Sequence, residues 1–374
     1  MKLGLGLLLF VAGIVVFAEA KISGRFGTGI VSDSNIYKDS SEFSDLGLGL
    51  DFNLNYYAKV FENTYPRFGY SFSIVSFPDY NLENQNTHFL NGSIRQRLGG
   101  LITVGIGSGF FAFNLPNSDK YNSTVFFTNP FLKLYPFYYT ELEVGYINKN
   151  TNYSDYDLDY AGNDFYAELK QDLPIGFNME LGAIFGKRDY NERYVYDISG
   201  SSPVKTSTKR EDTENKFSVG LKRYIFIVGT VEFGYTKAVL DSNANEFYWG
   251  PKQTEDENTT VGDERVIEDY WNYKSSIFNF VFKTGSQKNL YLEFYTHYQK
   301  KDFDGWYARD ISEKILSPAE FRTDKQQLYS LKAEKEIVNN LVLSGGYSFE
   351  NNLSNDAPYD YKSNQFKLGL KLYF

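Results

Sequence analysis

The segment Phe366 to Phe374, FKLGLKLYF, places Phe366, Leu368, Leu370, Leu372 and Phe374 on one face and Lys367, Gly369, Lys371 and Tyr373 on the other. Successive side chains of a strand point to opposite faces, so this alternation is a strand with one wholly apolar side. Left at an open sheet edge, such a strand invites pairing with other chains. A closed barrel removes the edge by pairing the last strand with the first. The alternation recurs upstream. Leu46, Leu48, Leu50, Phe52, Leu54 and Tyr56 share a face, as do Phe68, Tyr70, Phe72 and Ile74, and again Phe177, Met179, Leu181, Ala183 and Phe185.

At the other end, Lys2 precedes an uncharged, mostly apolar run from Leu3 to Ala18, followed by Ala18-Glu19-Ala20. This pattern predicts an export signal over residues 1–20, cleaved after Ala20, with 21–374 as a single barrel domain. The run is short of the roughly 20 residues that a spanning helix needs. No second stretch is long and apolar enough for a membrane helix, so strands must do any spanning. With 32 Tyr and 33 Phe the chain is rich in aromatics, yet its mean hydropathy is −0.42. A membrane barrel produces this combination, because lipid-facing and water-facing residues alternate and cancel in the average. The absence of cysteine suits an exported protein without disulfides. A net charge of −9 argues against nucleic acid as a partner.

Sixteen strands are predicted, at about 22–31, 45–56, 66–76, 87–97, 101–113, 123–135, 138–148, 163–173, 177–189, 214–224, 227–238, 274–284, 289–300, 326–336, 340–350 and 361–374. Fourteen or eighteen follow if a pair has been split or merged. Connections after even-numbered strands are tight, as at Leu98-Gly99-Gly100, Pro174-Ile175-Gly176 and Gly285-Ser286-Gln287-Lys288. Those after odd-numbered strands are often long and polar, the longest at Val239 to Tyr273, Asp302 to Lys325 and Tyr190 to Thr213. The predicted fold is therefore all-β, a closed up-and-down antiparallel transmembrane barrel. Tyr138, Tyr139, Tyr146, Tyr190, Tyr235 and Tyr347 are expected near strand ends, where amphipathic rings form girdles.

The layout resembles Gram-negative outer-membrane barrels, in particular general porins. Their terminal strand typically ends in Phe, so the resemblance makes Leu370, Leu372 and Phe374 an assembly signal read by the outer-membrane assembly machinery. It also implies short periplasmic turns, long external loops, and outer-membrane lipid and lipopolysaccharide as surroundings. Small hydrophilic solutes would be the cargo and a homotrimer the assembly, though the residues themselves show no trimer determinant. No room precedes the first strand for the plug of TonB-dependent transporters or the hatch of fatty-acid channels.

With the apolar face outward, the inward residues follow by elimination. Arg25, Arg67, Arg95, Arg97, Lys367 and Lys371 form an expected basic wall, and Glu141, Glu143, Glu168, Glu180 and Glu232 an acidic wall across the lumen. So many charges in a dry core would be very costly, which calls for water, pairing or both. Opposed walls of this kind set up the transverse field of general porins; paired charges that stiffen the wall are the other reading. The third external loop, Asn114 to Asn122, is too short to fold inward; if another loop narrows the pore, Leu240 to Asn272 is the candidate by length, although its many carboxylates favour a solvated surface loop.

Catalysis and cofactors are not expected. There are only two histidines, His88 and His297, with no cysteine, no EF-hand spacing and no phosphate-cradling motif. The expected function is a porin-like passive channel. A closed-lumen structural barrel or adhesin is one alternative. A dedicated transporter for sugars or hydrophobic compounds is another, to be marked by a continuous ladder through Tyr166, Tyr291 and Tyr295.

Overall fold

The computed structural model describes residues 19–374 apart from 36–37, 39–42, 81–83, 118–121, 155–157, 200–201, 226–227, 245, 254–259, 268–270, 313 and 317. Sixteen strands form one closed antiparallel barrel, and each expected strand has its counterpart. The first eight are β1 (Glu19–Asp33), β2 (Asp45–Lys59), β3 (Thr64–Ser76), β4 (Gln85–Leu98), β5 (Ile102–Asn114), β6 (Ser123–Leu134), β7 (Thr140–Tyr153) and β8 (Tyr160–Leu173). Then come β9 (Phe177–Ser199), β10 (Ser202–Ile225) and β11 (Gly229–Ser242). The remaining barrel strands are β14 (Tyr273–Ser286), β15 (Leu290–Tyr307), β16 (Phe321–Val338), β17 (Leu341–Ser354) and β18 (Tyr361–Tyr373). Neighbours in sequence are neighbours in space, and β18 closes on β1. Between β11 and β14, β12 (Glu246–Gln253) and β13 (Thr260–Ile267) pair as a separate hairpin.

The expected export signal lies outside the described residues, except that Glu19 and Ala20 open β1 opposite Lys59 and Ala58. All three of the expected long loops contain sheet, Asp302 to Lys325 holding the end of β15 and the start of β16. Tyr190 to Thr213 is not a loop: β9 and β10 stay paired out to Ser199 and Ser202, with register shifts around Lys209. Aromatic and β-branched residues such as Tyr194, Val195, Tyr196, Val204 and Thr206 favour strand there despite the intervening charges. Likewise Val239 to Tyr273 carries the end of β11 and the β12–β13 hairpin.

One face of the closed sheet is apolar and open. Leu46, Leu48, Ile106, Phe233, Phe366 and Leu368 are all exposed, Leu48 by 66%. The opposite face is polar and concave. Tyr166 on β8 reaches Asn129 on β6 (3.3 Å), Tyr273 on β14 reaches Glu214 on β10 (3.3 Å), and Lys371 on β18 reaches Glu334 on β16 (2.7 Å). Such strand-skipping contacts occur where side chains converge, on the inside of a curved wall. The apolar residues therefore face outward, where each would gain about 1.5–3 kcal/mol on leaving water.

The closing seam depends on one close approach. Gly24 and Phe374 exchange both backbone hydrogen bonds (2.8 and 3.1 Å). A Cβ on Gly24 would sit 2.3 Å from the Phe374 ring, which crosses this notch towards Phe52 on β2. Of the expected girdle tyrosines, Tyr138 and Tyr139 stand exposed in the β6–β7 turn. Tyr146, Tyr235 and Tyr347 instead lie mid-strand on the outer face against Phe165, Phe278 and Phe366. Tyr190 is buried inside.

Candidate functional site

The interior charges form local pairs around the wall. Lys133 on β6 bridges Glu141 and Glu143 on β7, both at 2.5 Å. Lys170 on β8 meets Glu168 (3.3 Å) and Glu180 on β9 (3.8 Å). Lys222 on β10 and Lys283 on β14 flank Glu232 on β11 at 3.0 and 3.5 Å. All five carboxylates expected as an acidic wall thus have a cationic neighbour one strand away or on the same strand. On the expected basic side, Arg25 pairs with Asp51 on β2 (3.0 Å), and Lys371 shares Glu334 with Lys332. The bare opposed walls are therefore replaced by alternating charges that run around the circumference. Register across neighbouring strands, which parity alone does not reveal, brings these partners together.

Arg67, Arg95 and Arg97 differ. Among the described residues none of them has a carboxylate within ion-pair distance, and the same holds for Lys367. The register stacks the arginines in successive rows of the wall. Tyr57 lies opposite Arg67, Tyr65 opposite Arg95, and Arg97 opposite Thr103, which in turn faces Lys133. The Arg67 guanidinium lies 5.2 Å from the centre of the Tyr57 ring, and that of Arg95 lies 5.4 Å from Phe131. Phe131 can lie flat against the wall because its opposite number is Gly105, where a Cβ would come within 2.3 Å of the ring. That glycine explains why β6 carries apolar residues on both faces. Arg97 donates a long bond to the Gly100 carbonyl (3.4 Å). The Arg95 Nε–H is buried and has no acceptor among the described residues. These side chains line a cavity of about 320 Å³ with Tyr57, Tyr65, Thr103, Lys133, Tyr135 and Glu141.

At the opposite end of the barrel, two arginines are fully engaged. On β10, Arg210 holds Asp212 through two bonds (2.8 and 2.7 Å), and Tyr190 donates to the same carboxylate (3.0 Å). The guanidinium lies 4.5 Å from the Tyr190 ring and 4.6 Å from Trp271. On β16, Arg322 holds Asp324 in the same way (2.9 and 2.7 Å) and lies 3.4 Å from Tyr359 and 4.4 Å from Trp306. Asp356, wholly buried, accepts from Trp306 Nε1 (2.9 Å) and from the backbone and side chain of Arg309. The two clusters meet edge to face at Trp271 and Trp306, 6.1 Å apart.

Sequence reasoning passed over this layer, although a signal exists. Arg-x-Asp occurs at 210–212 and at 322–324, and i,i+2 neighbours on a strand share a face, so each dipeptide spacing builds an ion pair locally. Trp271 belongs to Leu240 to Asn272, the loop that is the candidate for narrowing the pore. Within that segment residues 245, 254–259 and 268–270 lie outside the described residues. The cluster that Trp271 meets is built from Phe303, Trp306, Arg309, Arg322, Asp356 and Tyr359.

His88 stacks on Phe72 (4.7 Å) with Tyr70 3.0 Å from its Nδ1, and His297 lies 2.8 Å from Asn279. Tyr291 and Tyr295 stand on β15 and Tyr166 on β8, with four strands between, so the three make no continuous ladder. Leu370, Leu372 and Phe374 occupy the outer face of the closing strand.

No family model matches the chain, and comparison with curated proteins finds no match. Several solved structures are similar. A loop-L8 deletion mutant of OmpT, an outer membrane protein of Vibrio cholerae, is 10% identical over 96% of this chain and 99% of that one, at a TM-score of 0.47. OccD3 of Pseudomonas aeruginosa is 9% identical over 95% and 91%, at 0.46. An anion-selective porin from Comamonas acidovorans is 10% identical over 96% and 100%, at 0.45. In strand number, order and closure, this chain is a closed sixteen-stranded antiparallel barrel. At such low identity the likeness assigns neither a solute nor a residue's role.

Proposed function

We propose that the chain is an outer-membrane channel for passive diffusion of small hydrophilic solutes and ions. One observation carries this reading: a closed barrel of sixteen strands with an apolar outer face and a charged inner face. Barrels of that size are wide enough to leave an aqueous channel. The ion pairs run along the wall between near neighbours, so they stiffen it without bridging the lumen. In this reading the Arg67, Arg95 and Arg97 patch biases passage towards anions, and the arginine and tryptophan layer narrows the external mouth. A leader removed after Ala20, the terminal Phe374 as assembly signal, lipopolysaccharide contact and a trimeric state belong to the same proposal. Purified protein in planar bilayers is then expected to give stable ion conductance with an anion preference.

The layer at the external end favours a second reading, a structural barrel with a closed lumen that presents its loops. Intact barrels without conductance would select it over the channel.

A further inference from the structure

We infer that the wall of β3 to β6 holds a binding site for a tetrahedral dianion, inorganic phosphate or a small phosphate ester. The inference rests on the channel reading only for access from water; the site itself stands on its own geometry. Three guanidiniums converge on one cavity from adjacent rows, and the lining includes one carboxylate, Glu141, already neutralised by Lys133. The guanidiniums of Arg67 and Arg95 lie over Tyr57 and Phe131, and a ring face takes none of their N–H groups, which remain able to donate. The buried Arg95 Nε–H lacks an acceptor among the described residues, and an unmet buried donor is costly enough that a partner is expected. Tyr57, Tyr135 and Thr103 add hydroxyl donors. A site so rich in donors and so poor in acceptors suits a ligand that only accepts. Phosphate meets that demand with several oxygens, and Arg binds it through paired N–H bonds. A cavity of about 320 Å³ leaves room for a small organic substituent.

The test is equilibrium dialysis of radiolabelled inorganic phosphate against the folded barrel in detergent. Saturable binding is expected, displaced by sulfate and not by the same ionic strength of chloride. Arg95→Gln should weaken it at least tenfold, the loss expected when one charge-assisted bond to a buried donor is removed. Arg67→Gln and Arg97→Gln should each weaken it several-fold, while Lys335→Gln, exposed on the outer side of β16, should leave it unchanged. Heat-dependent gel mobility confirms that each variant is a closed barrel. Unsaturable uptake, or binding equal in wild type and Arg95→Gln, overturns the site. Because binding is read without a membrane, the two proposals fail separately. Conductance without saturable binding removes the site and spares the channel; binding without conductance does the reverse.

Discussion

Arginine does two different things at the two ends of this barrel. Arg210 and Arg322 are buried, each gripping an aspartate two residues along and each sandwiched by aromatic rings. Arg67 and Arg97 are exposed, and with Arg95 they have no carboxylate partner among the described residues. The rings are also closer at the engaged end, at 3.4–4.8 Å against 5.2 and 5.4 Å for Arg67 and Arg95. A guanidinium that owns a bidentate acceptor and several rings is part of the scaffold, whereas one without a carboxylate keeps N–H donors uncommitted.

The largest effect should come from the engaged end. Asp356→Ala strips Trp306, Arg309 and Arg322 of a shared buried acceptor, and should cost about 3–5 kcal/mol of unfolding free energy in urea titrations of the detergent-folded barrel. Arg67→Ala should stay within about 1 kcal/mol of wild type in the same titration. Equal losses would erase the distinction between the two ends.

Charge reversal at the free end should act on transport and spare folding. The double variant Arg95→Glu with Arg97→Glu is expected to convert an anion preference into a cation preference in bilayer reversal potentials. Unaltered selectivity in a conducting double variant would remove these side chains from the ion path.

Conservative replacement sharpens the contrast further. Arg322→Lys loses both the fork on Asp324 and the flat stacking surface, and should cost about 1–3 kcal/mol. Arg67→Lys keeps its charge and should change neither stability nor the sign of the selectivity. The smallest effect belongs to the ring of wall pairs. Lys170 and its partners Glu168 and Glu180 are all more than a third exposed, so Lys170→Gln should shift unfolding by less than about 1 kcal/mol, and less still at high salt.

Much of this architecture is written in period-two alternation. Leu46 to Tyr56 and Phe366 to Phe374 declare which side meets lipid, and tight turns such as Leu98-Gly99-Gly100 declare where the chain reverses. These are local signals, and they point to meander order and closure, because a strand with one apolar face must find a neighbour on each side; the count of sixteen is settled by the structure. Alternation also marked Arg67, Arg95 and Arg97 as inward residues. It misread Tyr190 to Thr213, where polar composition hid residues with good strand propensity, and it placed Tyr146, Tyr235 and Tyr347 too near the ends of their strands.

Pairing was beyond its reach. Whether Glu232 faces an empty lumen or sits between Lys222 and Lys283 depends on the register of β10, β11 and β14, set by hydrogen bonds between strands that facing alone does not fix. The same holds for Glu334 with Lys371, for Arg25 with Asp51, and for the meeting of Trp271 with Trp306. The sequence by itself determined a barrel and the facing of the strands it marks by alternation, since facing is a property of one strand. Only the tertiary structure decided which charges are spent on one another and which have no carboxylate partner among the described residues, because that is a property of strands laid side by side.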